Sequence, residues 1–271
     1  MFSSFLLIFR EALEAALIIG IILGYLAKIN KQNLNKYVYG GAGFAVLASA
    51  VTAYLFEVLA GGFEGRSEEI FEGIIMLVAV VILTSMIIWM KNQSKGLKED
   101  LHRKIDSAVS DNKVYGLASL AFLSVYREGV EVVLFFKALS NQVSWLSSLI
   151  GSIIGLIAAI AVAYIIFKTT VKLNLQQFFK VTGGLIILIA AGLFAHGIHE
   201  LQEAHVIPII VEHLYNINGI LNEKGTIGSI LKAMFGYNGN PSLIEVISYW
   251  IYLGVVGLKY FKDKNVVKES A

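Results

Sequence analysis

Seven stretches of the chain are apolar on every side, and none alternates: Phe2 to Ala27, Tyr37 to Leu59, Ile70 to Met90, Val114 to Leu139, Leu146 to Phe167, Phe178 to His199 and Leu243 to Phe261. Each is close to the roughly 20 residues that carry a helix across a bilayer, whereas a membrane strand would show about ten residues of alternating character. The pattern predicts an all-α integral membrane protein with seven transmembrane helices. The first stretch does not read as a cleaved signal, because no basic residue precedes its apolar run and Arg10, Glu11 and Glu14 interrupt it. The connection 91–113, with His102, reads as a polar loop, while 200–242 is too long for a simple link. Within the latter, Ile227 to Phe235 is amphipathic and fits an interfacial helix or lid. A single membrane domain over 1–271 then divides into a first repeat at about 1–90, a second at about 114–199, an outer segment 200–242, helix 7 at 243–261 and a tail 262–271.

Composition agrees with a membrane domain. With 56% of residues hydrophobic and only 15% charged, the chain has too little polar surface for a soluble enzyme. Having no Cys, it can form neither disulfides nor thiolate metal sites. The net charge of +2 hides a strong asymmetry. Alternate connections hold sixteen Lys and Arg, from Lys28 to Lys268, against four (Arg66, Lys137, Lys224, Lys232) in the other set. Cytoplasmic loops carry the basic excess, so the N-terminus is expected outside and the C-terminus inside. On that orientation the inner face sums to +10, the outer face to −6 and the membrane interior to −2. The inner excess is the ordinary positive-inside bias. The acidic outer face would attract cations.

The interior charges form a repeat. Arg10-Glu11-Ala12-Leu13-Glu14 in the first helix recurs as Arg127-Glu128-Gly129-Val130-Glu131 in the fourth, 117 residues later. Three crossings separate the copies, so they run in opposite directions, as in transporters whose inverted halves build a midplane site. Spacings of three and four put the guanidinium and both carboxylates of each copy on one helix face. Six such groups facing lipid unpaired would cost on the order of 15–20 kcal/mol, so they must meet one another or a wet path. Simple Arg-Glu pairing would leave two carboxylates over, and four Glu against two Arg leaves a deficit that a cation fills. Carboxylate oxygens suit hard cations such as Mg, Ca, Mn and iron; soft copper would want Cys or Met.

These residues resemble the oxidase-dependent iron permease family, which comprises fungal high-affinity iron permeases and bacterial Efe-type permeases. The resemblance lies in Phe9 to Ile18, in Tyr126 to Val132, in Ala191 to Ala204 and in Phe235 to Ser242, and spans nearly the whole chain. Ala12 departs from the Gly often found there. The resemblance implies uptake of iron, usually described as ferric, across the inner (plasma) membrane by a multi-pass protein. It makes Glu11, Glu14, Glu128 and Glu131 the metal ligands, with Arg10 and Arg127 as their charge partners. Iron is then the transported substrate, with no organic cofactor. A separate extracytoplasmic ferroxidase or iron-binding protein would supply it, and no nucleic acid is involved.

Further candidates lie near the outer face. His196, His199, Glu200 and Glu203 end the sixth helix, with His199 and Glu203 sharing a face, and read either as an outer capture site or gate or as bundle and solvated groups. Glu68, Glu69 and Glu72 begin the third helix, where acids also suit a helix N-terminus. The pairs Gly20/Gly24 and Gly151/Gly155 predict close helix packing, within the bundle or in a homo-oligomer. Two other readings compete: a permease for Mn or Pb, and a membrane di-iron oxidase, whose usual Glu-x-x-His ligand pattern is missing. A seven-helix receptor would not repeat metal-ligand charges.

Overall fold

The computed structural model describes residues 1–93, 97–110, 114–139, 144–168, 175–223 and 225–262. Lys95, Lys113, Lys172, Lys224, Lys264 and Lys268 of the charge count, and all but the first residue of the 262–271 tail, lie outside them. The helices are α1 (Phe2–Lys28), α2 (Asn35–Ala60), α3 (Arg66–Gln93), α4 (Leu97–Ser110), α5 (Val114–Leu139), α6 (Trp145–Lys168), α7 (Leu175–Glu203), α8 (Thr226–Phe235) and α9 (Leu243–Tyr252). A π-helical turn, Leu253–Gly257, carries α9 into α10 (Leu258–Phe261). Among the described residues there is no strand.

Among the described residues, five runs are long and apolar enough to cross a bilayer: Gln32–Ala60, Arg66–Met90, Trp145–Lys168, Lys180–Glu203 and Leu243–Phe261. The protein is therefore a multi-pass helical membrane protein. Helices α1 and α5 match these runs in length, but each carries the three charges of an Arg-Glu-x-x-Glu copy. Phe44, Leu47, Val51, Tyr54 and Leu55 of α2 are exposed, as suits a helix whose outer face meets hydrocarbon.

The connection 91–113 is not a plain loop. Its residues Leu97–Ser110 form α4, whose Leu101 and Ile105 are buried against Ile18, Ile22 and Leu26 of α1 and Leu117 and Ala121 of α5. Ala108 and Val109 pack on the same cluster, and the opposite face of α4 is polar, with Lys104 donating to Asp100 at 2.8 Å. His102 has a role too: its ring stacks on Tyr25 at 3.9 Å, and the Tyr25 hydroxyl donates to Asp106 at 2.7 Å. So short an apolar stripe in so polar a segment resembles a surface loop until the surface it covers is known.

Helix packing follows an exchange. α1 packs chiefly on α6, α2 on α5 and α3 on α7. Swapping α1 with α5, α2 with α6 and α3 with α7 leaves this scheme unchanged. The agreement extends to residues. A Cβ on Gly41 of α2 would lie 2.2 Å from the carbonyl oxygen of Ala118 on α5, and one on Gly151 of α6 would lie 2.2 Å from that of Met1 ahead of α1. Ala118 follows Met1 by the same 117 positions that separate the two arginines, and Gly151 follows Gly41 by 110. With that interval of 110, the meeting of Gly73 with Gly197 on α3 and α7 has its counterpart in Gly183 with Ile87. Of the glycine pairs expected to pack, Gly151 and Gly155 seat the start of α1, and Gly20 lies against the Phe167 ring. A Cβ on Gly24 would meet nothing within 4 Å, so this glycine does not serve packing among the described residues.

The segment 200–242 packs well down the length of α7 rather than lying beyond its end. The last turn of α8 ends at Gly236, a left-handed cap with φ +66°, where a Cβ would fall 2.0 Å from the Cα of Gly192. Gly192 precedes the end of α7 by eleven residues, about 16 Å of helix. The chain then climbs back to Ser242, whose hydroxyl donates to Gln202 Oε1 at 2.7 Å, and enters α9.

Candidate metal site

The close seams of α1 on α6 and α2 on α5 bring α1 and α5 side by side with their charged faces inward. Arg10, Glu11 and Glu14 are 2%, 1% and 4% exposed, and Glu128 and Glu131 are 3% and 8% exposed. Arg10 Nη1 donates to Glu11 Oε1 at 3.2 Å, and its Nη2 meets Met90 Sδ at 3.0 Å. Arg127 reaches further. Its Nε donates to Glu128 Oε1 at 2.9 Å, its Nη2 to Glu14 Oε1 at 3.1 Å, and its Nε lies 3.9 Å from Glu131 Oε1. Arg127 also lies over the Trp89 ring at 5.1 Å, so both arginines lean on the C-terminal end of α3. The two motifs are thus tied to each other across the helices, through Glu14 and Arg127.

Each arginine satisfies one oxygen of the carboxylates it meets and leaves the other. Among the described residues, Glu11, Glu14, Glu128 and Glu131 each have a buried Oε2 without a hydrogen-bond partner. Buried carboxylate oxygens are costly to leave unpaired. One oxygen each from Glu11, Glu128 and Glu131 lie within 4.8 Å of one another. Oxygens that share a cation at about 2.1 to 2.5 Å are at most about 4 to 5 Å apart, so these three need only a small contraction to hold one.

A second group stands at the C-terminal end of α7. His196 Nε2 pairs with Glu200 Oε1 at 3.4 Å, and His199 Nε2 with Glu203 Oε1 at 3.2 Å, the two imidazoles stacking at 5.7 Å. Glu69 and Glu72 of α3 stand close enough to repel the Glu200 carboxylate, whereas Glu68 is exposed at the start of α3 and joins neither group. Sequence reasoning overlooked Glu245, counting it only as one more outer acid. It is 3% exposed and accepts from the Ser242 backbone N–H at 2.9 Å, from Asn238 Nδ2 at 2.9 Å and from His199 Nδ1 at 3.1 Å. Part of this was legible, since Ser242-Leu243-Ile244-Glu245 has the spacing of a capping box, and the box is formed. Trp89 and Met90 were also overlooked, because nothing local marks an apolar residue that packs on a guanidinium.

Paired charged motifs, orphaned carboxylate oxygens and an outer His-Glu cluster agree with a match of residues 1–261 to the iron permease FTR1 family. The chain belongs to that family. Its match with the ferrous iron permease EfeU of Yersinia pestis is 39% identical over 274 residues and covers all of this chain and 97% of that protein. The ferrous iron permease EfeU of Yersinia pseudotuberculosis is 38% identical, covering 100% and 95% respectively. That of Escherichia coli O6:H1 is 33% identical over 255 residues, covering 93% and 92%. No solved structure matches the chain. The family is one of transporters rather than enzymes, which sets the membrane oxidase aside.

Proposed function

We propose that this iron permease takes up iron across the inner (plasma) membrane through seven crossings, built as three plus three inverted helices (α1 to α3 and α5 to α7) and one more formed by α9 and α10. The N-terminus is outside and the C-terminus inside. The observation that carries the reading is the set of four buried Oε2 atoms, on Glu11, Glu14, Glu128 and Glu131, with only two guanidinium groups beside them. A cation replaces the missing positive charge. Arg10 and Arg127 orient the carboxylates while no cation is bound, and the halves rock to release iron inward. Iron reaches this site from the acidic outer face, with Glu68, Glu69 and Glu72 collecting it and His196, His199, Glu200 and Glu203 forming the gate. A separate ferroxidase or iron-binding protein delivers it.

An all-oxygen central site favours the harder ferric ion, as the family resemblance also implies. The relatives carry ferrous in their names. Uptake of radio-iron into vesicles holding the purified protein, ferric and ferrous compared at fixed pH with Mn and Pb as competitors, separates these substrates. Glu-to-Gln changes at 11, 14, 128 and 131, made singly, are expected to abolish iron uptake while the protein stays in the membrane. Wild-type uptake by all four would overturn the reading.

A further inference from the structure

The outer cluster has an organiser that the gate residues alone do not supply. Resting on the iron permease reading above, we infer that Glu245 is a positioning residue: its buried carboxylate holds the His199 ring by Nδ1 and so turns Nε2, beside the Glu203 carboxylate, toward a cation arriving from outside.

The hydrogen-bond roles follow from the partners. Glu245 Oε1 receives the Ser242 N–H, Oε2 receives the Asn238 amide, and a carboxylate so placed can only accept from an imidazole. Nδ1 of His199 is therefore the donor at 3.1 Å. That leaves Nε2 as the nitrogen on the open side, 3.2 Å from Glu203 Oε1, where the Glu203 side chain is 54% exposed and free to adjust. A histidine that ligates a metal through one nitrogen while giving the other to a carboxylate is a recurrent arrangement, because the carboxylate fixes ring orientation and tautomer.

The carboxylate is itself fixed on two sides. Gly236 against Gly192 pins the turn before α9 to the middle of α7, and Ser242 Oγ on Gln202 Oε1 pins its other end one turn beyond His199. Glu245 hangs between these anchors. A glutamate serving only the capping box would bond the Ser242 N–H and otherwise face water; this one is buried and spends both oxygens on partners outside its own helix turn. The inference also explains why the lid segment and α7 meet where they do. Their contact sets the aim of one imidazole.

The test measures initial rates of radio-iron uptake against iron concentration in vesicles, with iron in the oxidation state that the wild type transports. Glu245→Gln, which can still form the capping box, His199→Ala and the double variant are compared. Each single change is expected to raise KM about 10- to 100-fold, with Vmax within about twofold of wild type. The double variant should be no worse than His199→Ala, because both changes remove the same aimed nitrogen. Asn238→Ala, which frees Oε2 of Glu245 and the Asn240 backbone N–H but leaves the His199 bond to Oε1, should raise KM less and serves as the second variant if Glu245→Gln folds poorly. An unchanged KM in Glu245→Gln and Asn238→Ala, a loss confined to Vmax, or a double variant in which the two losses multiply overturns the inference. The four motif variants Glu11→Gln, Glu14→Gln, Glu128→Gln and Glu131→Gln are run alongside. Wild-type uptake in all four would sink the iron-path reading itself, whereas loss there with a normal KM in Glu245→Gln rejects only the role of Glu245.

Discussion

Arg10 is the largest buried side chain of the central site, at 2% exposure, and its guanidinium has one carboxylate, on Glu11, and one thioether, on Met90. Arg127 has three carboxylates and an aromatic face, with its side chain 42% exposed. The two copies of one motif are therefore unequal in what their arginines can lose. Replacing Arg10 by Met keeps most of the volume but leaves Glu11 as an uncompensated buried charge, which costs about 3–5 kcal/mol. Purified Arg10→Met protein should melt well below wild type in the same detergent, and adding Glu11→Gln should recover much of the loss. A melting temperature unchanged by Arg10→Met would show that Glu11 is not held ionised by it. The motif residues themselves were plain in the sequence, because charges are rare in an apolar helix. Their pairing was not: the arrangement of Glu14 with Arg127 rather than Arg10 depends on how closely α1 and α5 approach.

At the scale of elements, the glycines of the two seams carry the packing. A Cβ at Gly41 or Gly151 meets a backbone carbonyl oxygen at 2.2 Å, and backbone cannot swing aside as a side chain does. Gly41→Ala and Gly151→Ala are expected to destabilise by about 1–3 kcal/mol each, through similar displacements of α2 from α5 and of α6 from α1. Gly24→Ala, with open space around it, should be neutral or stabilise by up to about 1 kcal/mol, because alanine is the better helix former. Thermal unfolding of the three variants checks both halves of this statement; equal losses at all three positions would remove the seams as its cause. The long helices were legible from apolar runs because hydrocarbon demands them. α4 was not, because Leu101 and Ile105 gain their meaning from the groove between α1 and α5. Glu245 stayed hidden for the same reason: an acid three residues after a serine at a helix start announces a cap, and only the tertiary approach of α7 turns it toward His199.

For the whole molecule, orientation is the testable quantity. The chain has no Cys, so a single introduced thiol is the sole target of a membrane-impermeant maleimide. Thiols at Asn33 and Arg103 should react only from the inside, and thiols at Glu68 and His213 only from the outside. Reaction of Asn33 and Glu68 from the same side would rule out the alternation that the basic residues predict.

The pairing of α1 with α6 and of α2 with α5 also bears on how the protein is made. Trp145, where α6 begins, follows the end of α1 at Lys28 by 117 positions, so α1 enters the membrane long before its neighbour exists. Meanwhile it carries Arg10 and Glu11, which can pair within α1, and Glu14, a charge costing about 2.5–3.5 kcal/mol near a helix centre whose partner Arg127 has not yet left the ribosome. Early α1 must therefore wait in a polar refuge, in the insertion machinery or at the membrane surface, until α5 brings Arg127 and α6 brings its glycine seam. A chain ending at residue 113 should leave a thiol at Ser4 reactive in ways that the complete chain, where Ser4 is buried and paired with Ser148, does not. The two halves are woven through each other, and neither can be completed before the other has been synthesised.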